Sequence, residues 1–311
     1  MKISNGVKSD SIKYKDEDLM KTLDIDLKTL NRFKQIRRET MSEAKKLNKK
    51  NNKKIKVLGV SGSARDIFDT AQEDSNSGEL LKKCLNYCAK LGAATEFIQL
   101  KKFNIKYCKA CYSTVNTQCH FYCSCYPKGT PEGDDMTNIL YDKILGADAI
   151  IFATPVNNFK ISTLMATFID RCISLDSLYP ANPKVPKDKE LNIKHMKFIE
   201  LTADNNLPGS GLLKRFSGKI AGVITTGHEE GAAMVISNLF MALNSFGMLF
   251  PPFSSMYAMS SICNSTYKDK SIVLSDCFTE EIKALANNII LAARLVKNCR
   301  ATNWKNDYSA N

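Results

Sequence analysis

The stretch IKVLGVSGSARDIFDTAQEDSNSGELL, residues 55–81, opens with Ile55, Val57, Leu58 and Val60, an apolar run that predicts a buried strand. Ser61, Gly62 and Ser63 break the run, and Arg65 follows at once. Ser75, Asn76 and Ser77 then precede Leu80, Leu81, Cys84, Leu85, Cys88 and Leu91, which recur at helical spacing. A strand, a hydroxyl-rich loop carrying an arginine, and a helix N-terminus together make a place for a phosphate. Loop amides and helix N–H groups point outward, and the helix dipole favours an anion. The plainer alternative is a strand-to-helix turn capped by Ser77.

Outward from that stretch the pattern repeats. TEFIQL (95–100) reads as a second strand and ADAIIFA (147–153) as a central one apolar on both faces. Thr154–Pro155–Val156–Asn157–Asn158 ends the latter, and Ser162 opens a helix. IAGVITT (220–226) predicts another buried strand, ending in Gly227–His228–Glu229–Glu230–Gly231. Met248–Phe250 with Tyr257–Met259 predicts a short last strand, and Thr279–Cys299 a closing helix. Strands alternating with helices predict a doubly wound α/β sheet of five parallel strands with helices on both faces. Three loops, at 61–77, 154–162 and 226–231, leave the C-terminal strand ends, where such sheets bind ligands.

The chain has 311 residues and a net charge of +12. Residues 1–54 hold sixteen Lys or Arg against eight Asp or Glu, so most of the excess lies there. That segment reads as a basic, partly helical N-terminal extension that packs on the main domain or on a partner subunit. Its Lys/Asn run lacks aromatics and points to a solvated linker rather than a nucleic-acid arm. The start, MKISNGVKSD, has no apolar signal core, and no apolar run reaches the ~18 residues of a membrane helix. A cytoplasmic location without membrane contact is expected. The main domain spans 55–299, with a Cys-rich loop at 105–133 and a Pro- and Lys-rich insertion at 175–219, where Met196–Leu201 reads as a strand; 300–311 is a polar tail.

Eleven cysteines without a secretory signal argue for reduced thiols or metal ligands. Cys84, Cys88, Cys172, Cys277 and Cys299 fall in or beside helical patterns and read as small buried apolar residues. Cys108, Cys111, Cys119, Cys123 and Cys125 crowd one loop, spaced C-x2-C-x7-C-x3-C-x-C. Such soft donors suit an iron–sulfur cluster or a zinc ion, and equally a set of free or redox-active thiols. His120 reads as a surface loop residue, and His195 and His228 as no metal pair.

GVSGSAR (59–65), SNSGELL (75–81), DDM (134–136), GADAIIFATPVNNFKISTLMATFIDR (146–171) and VITTGHEEGAAM (223–234), in this order, resemble the NAD(P)H-dependent FMN reductase family. The resemblance implies a flavodoxin-like three-layer sandwich and an FMN-dependent oxidoreductase. Such an enzyme takes hydride from NADH or NADPH and passes electrons to a quinone, a flavin, a nitro- or azo-aromatic compound or a metal ion. It implies that Ser61, Ser63, Arg65, Asn76 and Ser77 hold the FMN phosphate. Thr154, Pro155, Val156, Asn157 and Asn158 would lie along the isoalloxazine ring, with Thr226, Gly227, His228 and Gly231 closing its other side. Backbone N–H groups would stabilise the reduced ring, so no acid–base side chain is expected to be indispensable.

The resemblance also implies a homodimer. The related iron–sulfur flavoproteins carry a cysteine cluster in the corresponding loop, which implies a [4Fe–4S] cofactor at the five loop cysteines and an alternative role as electron carrier to a protein partner. Three departures stand out. The iron–sulfur flavoproteins use a tighter cysteine run, with a cysteine where Thr114 stands here. Asn157 occupies a position often aromatic in the family. The segment between Arg65 and Ser75 is long and acidic, with Asp66, Asp69, Glu73 and Asp74 placed to hinder or gate a phosphate.

Overall fold

A computed structural model describes residues 12–47, 54–68, 70, 72–113, 117–204, 206–227, 229–259, 271, 273 and 275–298. The tail at 300–311, Cys299, His228 and Thr114 lie outside the described residues. The apolar run after residue 55 forms β1 (Lys56–Ser61), followed by α3 (Asn76–Lys90) and β2 (Ala94–Gln99). Two N-terminal helices, α1 (Asp16–Leu23) and α2 (Leu27–Leu47), precede them. A π-helical turn (Met136–Leu140) leads into α4 (Tyr141–Gly146) and then the central β3 (Ala149–Asn157). After β3 come β4 (Lys160–Ile161), α5 (Thr163–Cys172), α6 (Lys189–Thr202), β5 (Ile220–Gly227), α7 (Glu229–Ser245), β6 (Ser255–Met259) and α8 (Thr279–Asn298).

Five strands pair in parallel in the order β2-β1-β3-β5-β6, the flavodoxin-like order, and the short β4 folds back antiparallel on the end of β3. Successive residues of β3 explain why its run is apolar throughout. Ile150 and Phe152 join the core under Leu140, Met165, Phe168 and Leu239, while Ile151 and Ala153 join the core under Leu81, Leu85, Leu285 and Ile289. Each face of the sheet is therefore covered by helices, giving three layers. Among the described residues no helix is long and apolar enough to cross a membrane.

The structure corrects several local expectations. The last strand is Ser255–Met259, while Leu249 makes only an isolated bridge to Ile220. Cys84, Cys88 and Cys172 are buried but Cys277 is exposed, because it sits in the turn before α8. Met196–Leu201 belongs to α6 and not to a strand. Asp188 caps this helix by accepting from the Leu191 amide, and its buried residues Asn192, His195, Phe198, Ile199 and Thr202 recur three or four apart.

That helix is what the N-terminal segment packs against. Leu19, Leu23, Leu30 and Phe33 share a cluster with Ala181 and Phe198, and Ile36 and Ala44 share another with Leu178, Ile199 and Leu213. Glu43 of α2 takes two hydrogen bonds from Arg215 (2.8 and 2.9 Å) and one from the Tyr179 hydroxyl (3.0 Å). The extension and the insertion thus complete each other within one chain.

Two histidines lie inside this contact, and His120 is buried rather than on the surface. His195 stacks on Phe33 with ring centroids 4.5 Å apart. Burial first, then the neighbouring His120 and Arg32 charges, push His195 down to about 3; burial pushes His120 down to about 4, against a side-chain hydrogen bond to Asn192 that favours the charged ring. Exposed imidazoles titrate near 6.5, so below that pH the unfolded chain binds protons that the fold refuses, and stability falls. The free energy of urea unfolding is expected to drop as pH is lowered from about 6.5 towards about 4. A His195→Gln variant, which cannot titrate, should lose less over that window; an identical profile would contradict this account.

Candidate functional site

The three loops foreseen at the C-terminal sheet edge meet where the strand order reverses, between β1 and β3. Gly62 continues the β1–β3 ladder, its N–H donating to the Ala153 carbonyl (2.8 Å), and the Ser162 hydroxyl donates to the Gly62 carbonyl. Only glycine fits here, since a Cβ would stand 2.8 Å from Met165 Cβ. Ser162 Oγ also caps α5 by accepting from the Met165 amide (3.2 Å). One hydroxyl therefore joins the first loop, the end of β3 and the start of α5.

Between the loops lies a cavity of about 260 Å³. Ser63, Ala64, Arg65, Ser75 and Asn76 line one end, Pro155, Val156 and Asn157 a second side, and Thr226 and Gly227 a third. Ala258, Val273 and Phe278 complete it. The small residues are organised before any ligand arrives. Ser63 Oγ accepts from the Arg65 amide (3.2 Å), which turns the loop, and Ser75 Oγ accepts from the Gly78 amide (3.1 Å), which caps α3.

The cap is thus Ser75 rather than Ser77. Ser77 is fully buried and spends its hydroxyl on Ser75 (2.9 Å). Ser61 and Thr154 are also buried beneath the cavity, and Thr154 Oγ1 accepts from the Ser162 amide (3.2 Å). Asn158 lies away from the lining, at the exposed turn of the β3–β4 hairpin. There Asn158 and Phe159 both have positive φ, 50° and 63°, as a two-residue type I′ turn requires. Gly231 packs behind the wall, where a Cβ would come within 2.2 Å of Val156 Cγ1.

Two features of this cavity suit a phosphorylated ligand. Asn76 Oδ1 is buried at its edge with no hydrogen-bond partner, an acceptor for a ligand hydroxyl and not for its phosphate, and among the described residues no carboxylate pairs with the Arg65 guanidinium. The α3 N-terminus opens at the same place. The residues that sequence reading missed divide in two. Ser75 carried a signal, its position as the first hydroxyl before the helical run. Ala258, Val273 and Phe278 carried none, because only the pairing of β6 with β5 and the packing of α8 bring them here.

The Cys-rich loop is held at its base by a buried ion pair. Arg171 of α5 and Asp134 are both almost wholly excluded from solvent, and Arg171 Nη2 donates to Asp134 Oδ1 (3.1 Å) while Nη1 binds the Lys106 carbonyl (2.7 Å). Burial alone would raise the Asp134 carboxyl, but hydrogen bonds from Arg171 and the Lys106 amide hold it below the ordinary carboxylate value. The far side of the loop rests on the insertion: the Gln118 amide meets His195 Nδ1 (2.7 Å) and the Phe121 amide donates to the Leu178 carbonyl (2.9 Å).

The five thiols gather on this frame. Cys125 interacts with both Cys111 and Cys123, and Cys108 and Cys119 lie within electrostatic reach. Donation from Cys125 holds the Cys111 thiol low, while burial pushes Cys119 up. Among the described residues no group of three or more His, Cys, Asp or Glu side chains is arranged to hold a metal ion. Asp134→Asn leaves Arg171 buried and unpaired, and is expected to cost about 3–5 kcal/mol of folding stability by urea denaturation. A cost below about 1 kcal/mol would show that the pair does not hold the loop.

Comparison with known proteins agrees with this architecture. The sequence model of the family "NADPH-dependent FMN reductase" matches residues 55–260. Iron–sulfur flavoproteins of Methanocaldococcus jannaschii and Archaeoglobus fulgidus are each 28% identical, over 131 and 117 residues, or 42% and 38% of this chain. The matched segments cover 56% and 48% of those proteins, so the chain spans about half the length of the curated relatives it matches. The crystal structure of RosB with bound 8-demethyl-8-formylriboflavin-5'-phosphate superposes with a TM-score of 0.53 at 18% identity, covering 80% of this chain and 82% of that one, a likeness of fold. With its strand order, its three edge loops and a family match across most of its length, this chain belongs to the NADPH-dependent FMN reductase family of oxidoreductases.

Proposed function

We propose that the chain is an FMN-dependent oxidoreductase that takes hydride from NADPH or NADH and passes electrons to a small acceptor such as a quinone, a flavin, a nitro- or azo-aromatic compound or a metal ion. The observation that carries the proposal is the convergence of three strand-end loops on one cavity whose polar end offers an unpaired guanidinium, two serine hydroxyls and a helix N-terminus. FMN is the cofactor that this arrangement fits, and when bound it supplies the hydride and electron chemistry.

The chain's own residues have the tasks of binding and orienting. Arg65, the Ser63 and Ser75 hydroxyls and the α3 N-terminus face the phosphate, with Asn76 as a further hydrogen-bond partner at that end. Pro155, Val156 and Asn157 form one wall of the ring site and Thr226 and Gly227 the opposing one. Ser61, Ser77 and Thr154 act from beneath, by holding the loops in register, and Gly231 by letting α7 close on Val156. The apoprotein should bind one FMN per chain and, anaerobically, the bound flavin should bleach on addition of NADPH or NADH. Arg65→Met should weaken FMN binding about ten- to hundredfold, the worth of a charge-assisted hydrogen bond. A protein that takes up no FMN would overturn the proposal.

A second reading is favoured by the thiol cluster and by the relatives named iron–sulfur flavoproteins. Cysteine side chains on a pinned loop offer the soft donors that a [4Fe–4S] cluster needs, and the chain would then carry electrons to a protein partner. Anaerobic reconstitution with iron and sulfide should give a broad absorbance beneath the flavin bands, bleached by dithionite and lost when Cys111 and Cys123 are changed to Ser. Absence of that absorbance would leave the cysteines as thiols.

A further inference from the structure

The acidic segment between Arg65 and Ser75 poses a problem for any phosphate site, and at Asp66 and Asp74 the fold meets it with a lysine from the end of β2. Lys101 lies in the turn after β2 (Leu100–Lys102), anchored by the fully buried Leu100. Its Nζ donates to the Arg65 carbonyl and stands 3.1 Å from Asp66 Oδ2 and 3.7 Å from Asp74 Oδ1. Only 13% of its side chain is exposed. Asp74 also approaches Lys82, at 3.9 Å.

We propose that Lys101 is a positioning residue for the phosphate end of the cavity: by taking up Asp66 and Asp74 it keeps Arg65 unpaired and makes the site prefer a phosphorylated flavin over riboflavin. The inference rests on the flavin reading above. Asp66 is the immediate neighbour of Arg65 and Asp74 adjoins the Ser75 cap, so both carboxylates lie where a phosphate dianion would meet them. Without an opposing cation they repel that dianion and compete for Arg65 and for the α3 N-terminus. The hydrogen bond from Lys101 holds Asp66 in its charged form, below the ordinary carboxylate value, so it does not escape the conflict by protonation. Lys101 also grips the backbone at Arg65 itself, and the Arg65 amide is bound to Ser63 Oγ, so the arginine is fixed on both sides. Lys101 is not among the residues that line the cavity and acts only through these partners.

The test compares two ligands, FMN and riboflavin, titrated into the full-length apoprotein by flavin fluorescence. Lys101→Met keeps the apolar stem and removes the charge. It should weaken FMN binding about five- to tenfold, more at low than at high salt, and leave riboflavin binding within about twofold. Lys101→Arg should retain FMN affinity, and adding Asp66→Asn and Asp74→Asn to Lys101→Met should restore it. Equal losses for FMN and riboflavin, or no loss for either, would overturn the inference, since a purely structural role does not sort the ligands by phosphate. If Lys101→Met fails to fold, the Asp66→Asn/Asp74→Asn variant with Lys101 intact decides: FMN binding at least as tight as wild type supports the inference, and weaker binding overturns it. A wild-type chain that binds FMN and riboflavin equally removes the preference while leaving the flavin reading intact; a chain that binds neither removes both.

Discussion

The contact on which the molecule depends is the meeting of β1 and β3 at their C-terminal ends. Parallel pairing carries Ser61 alongside Ala153, and the ladder runs one residue further through the Gly62 amide. Both strands then release their loops on the same side, at the point where the order of the sheet reverses. Ser162 ties the two departures together, and Met165 packs so closely that a side chain at Gly62 is excluded. A cavity at this edge follows from the topology before any binding residue is considered. What the sequence adds is small hydroxyls and one guanidinium in place of bulk.

Charge is managed in the same spirit at three junctions, by placing an ion against a specific opposite. Arg171 and Asp134 close the base of the cysteine loop, Arg215 and Glu43 join the N-terminal helix to the insertion, and Lys101 occupies the acids that flank Arg65. Buried pairs of this kind contribute modestly as pairs, yet breaking one leaves an ion without solvent or partner, so each fixes a junction between segments far apart in sequence. Arg65, which no carboxylate pairs with among the described residues, lines the cavity.

The N-terminal helices and the insertion have a purpose that neither suggests alone. Together they build a small apolar body whose inner surface carries His195, Leu178 and Arg215 to the back of the cysteine loop, where Arg215 lies 4.0 Å over the Phe121 ring. A loop that long would otherwise pay heavily in conformational entropy. Braced on one side by this body and on the other by Arg171, it keeps its five cysteines on one frame.

By itself the sequence determined the layers and the edge. Continuous apolar runs at 147–153 and 220–226 have to be buried on both faces, and hydroxyl, glycine and proline punctuation at their ends has to fall in loops, so the layers and the edge that carries the loops were legible in local pattern, while a flavodoxin-like order was implied only by the family resemblance. The tertiary structure alone decided which of those loop residues look into the cavity. Ser61, Ser77 and Thr154 share their chemistry with Ser63 and Ser75, but the turn of the backbone and the capping bonds send them underneath. Met196–Leu201 became helix because α2 offered a surface for a face three to four residues apart, a partner 165 residues away in the chain at the Arg37–Thr202 contact. Asp66 and Asp74 read as a barrier to phosphate until Lys101 arrives from the end of β2. Each of these outcomes turns on a long-range contact, and a contact of that kind leaves no period in the sequence.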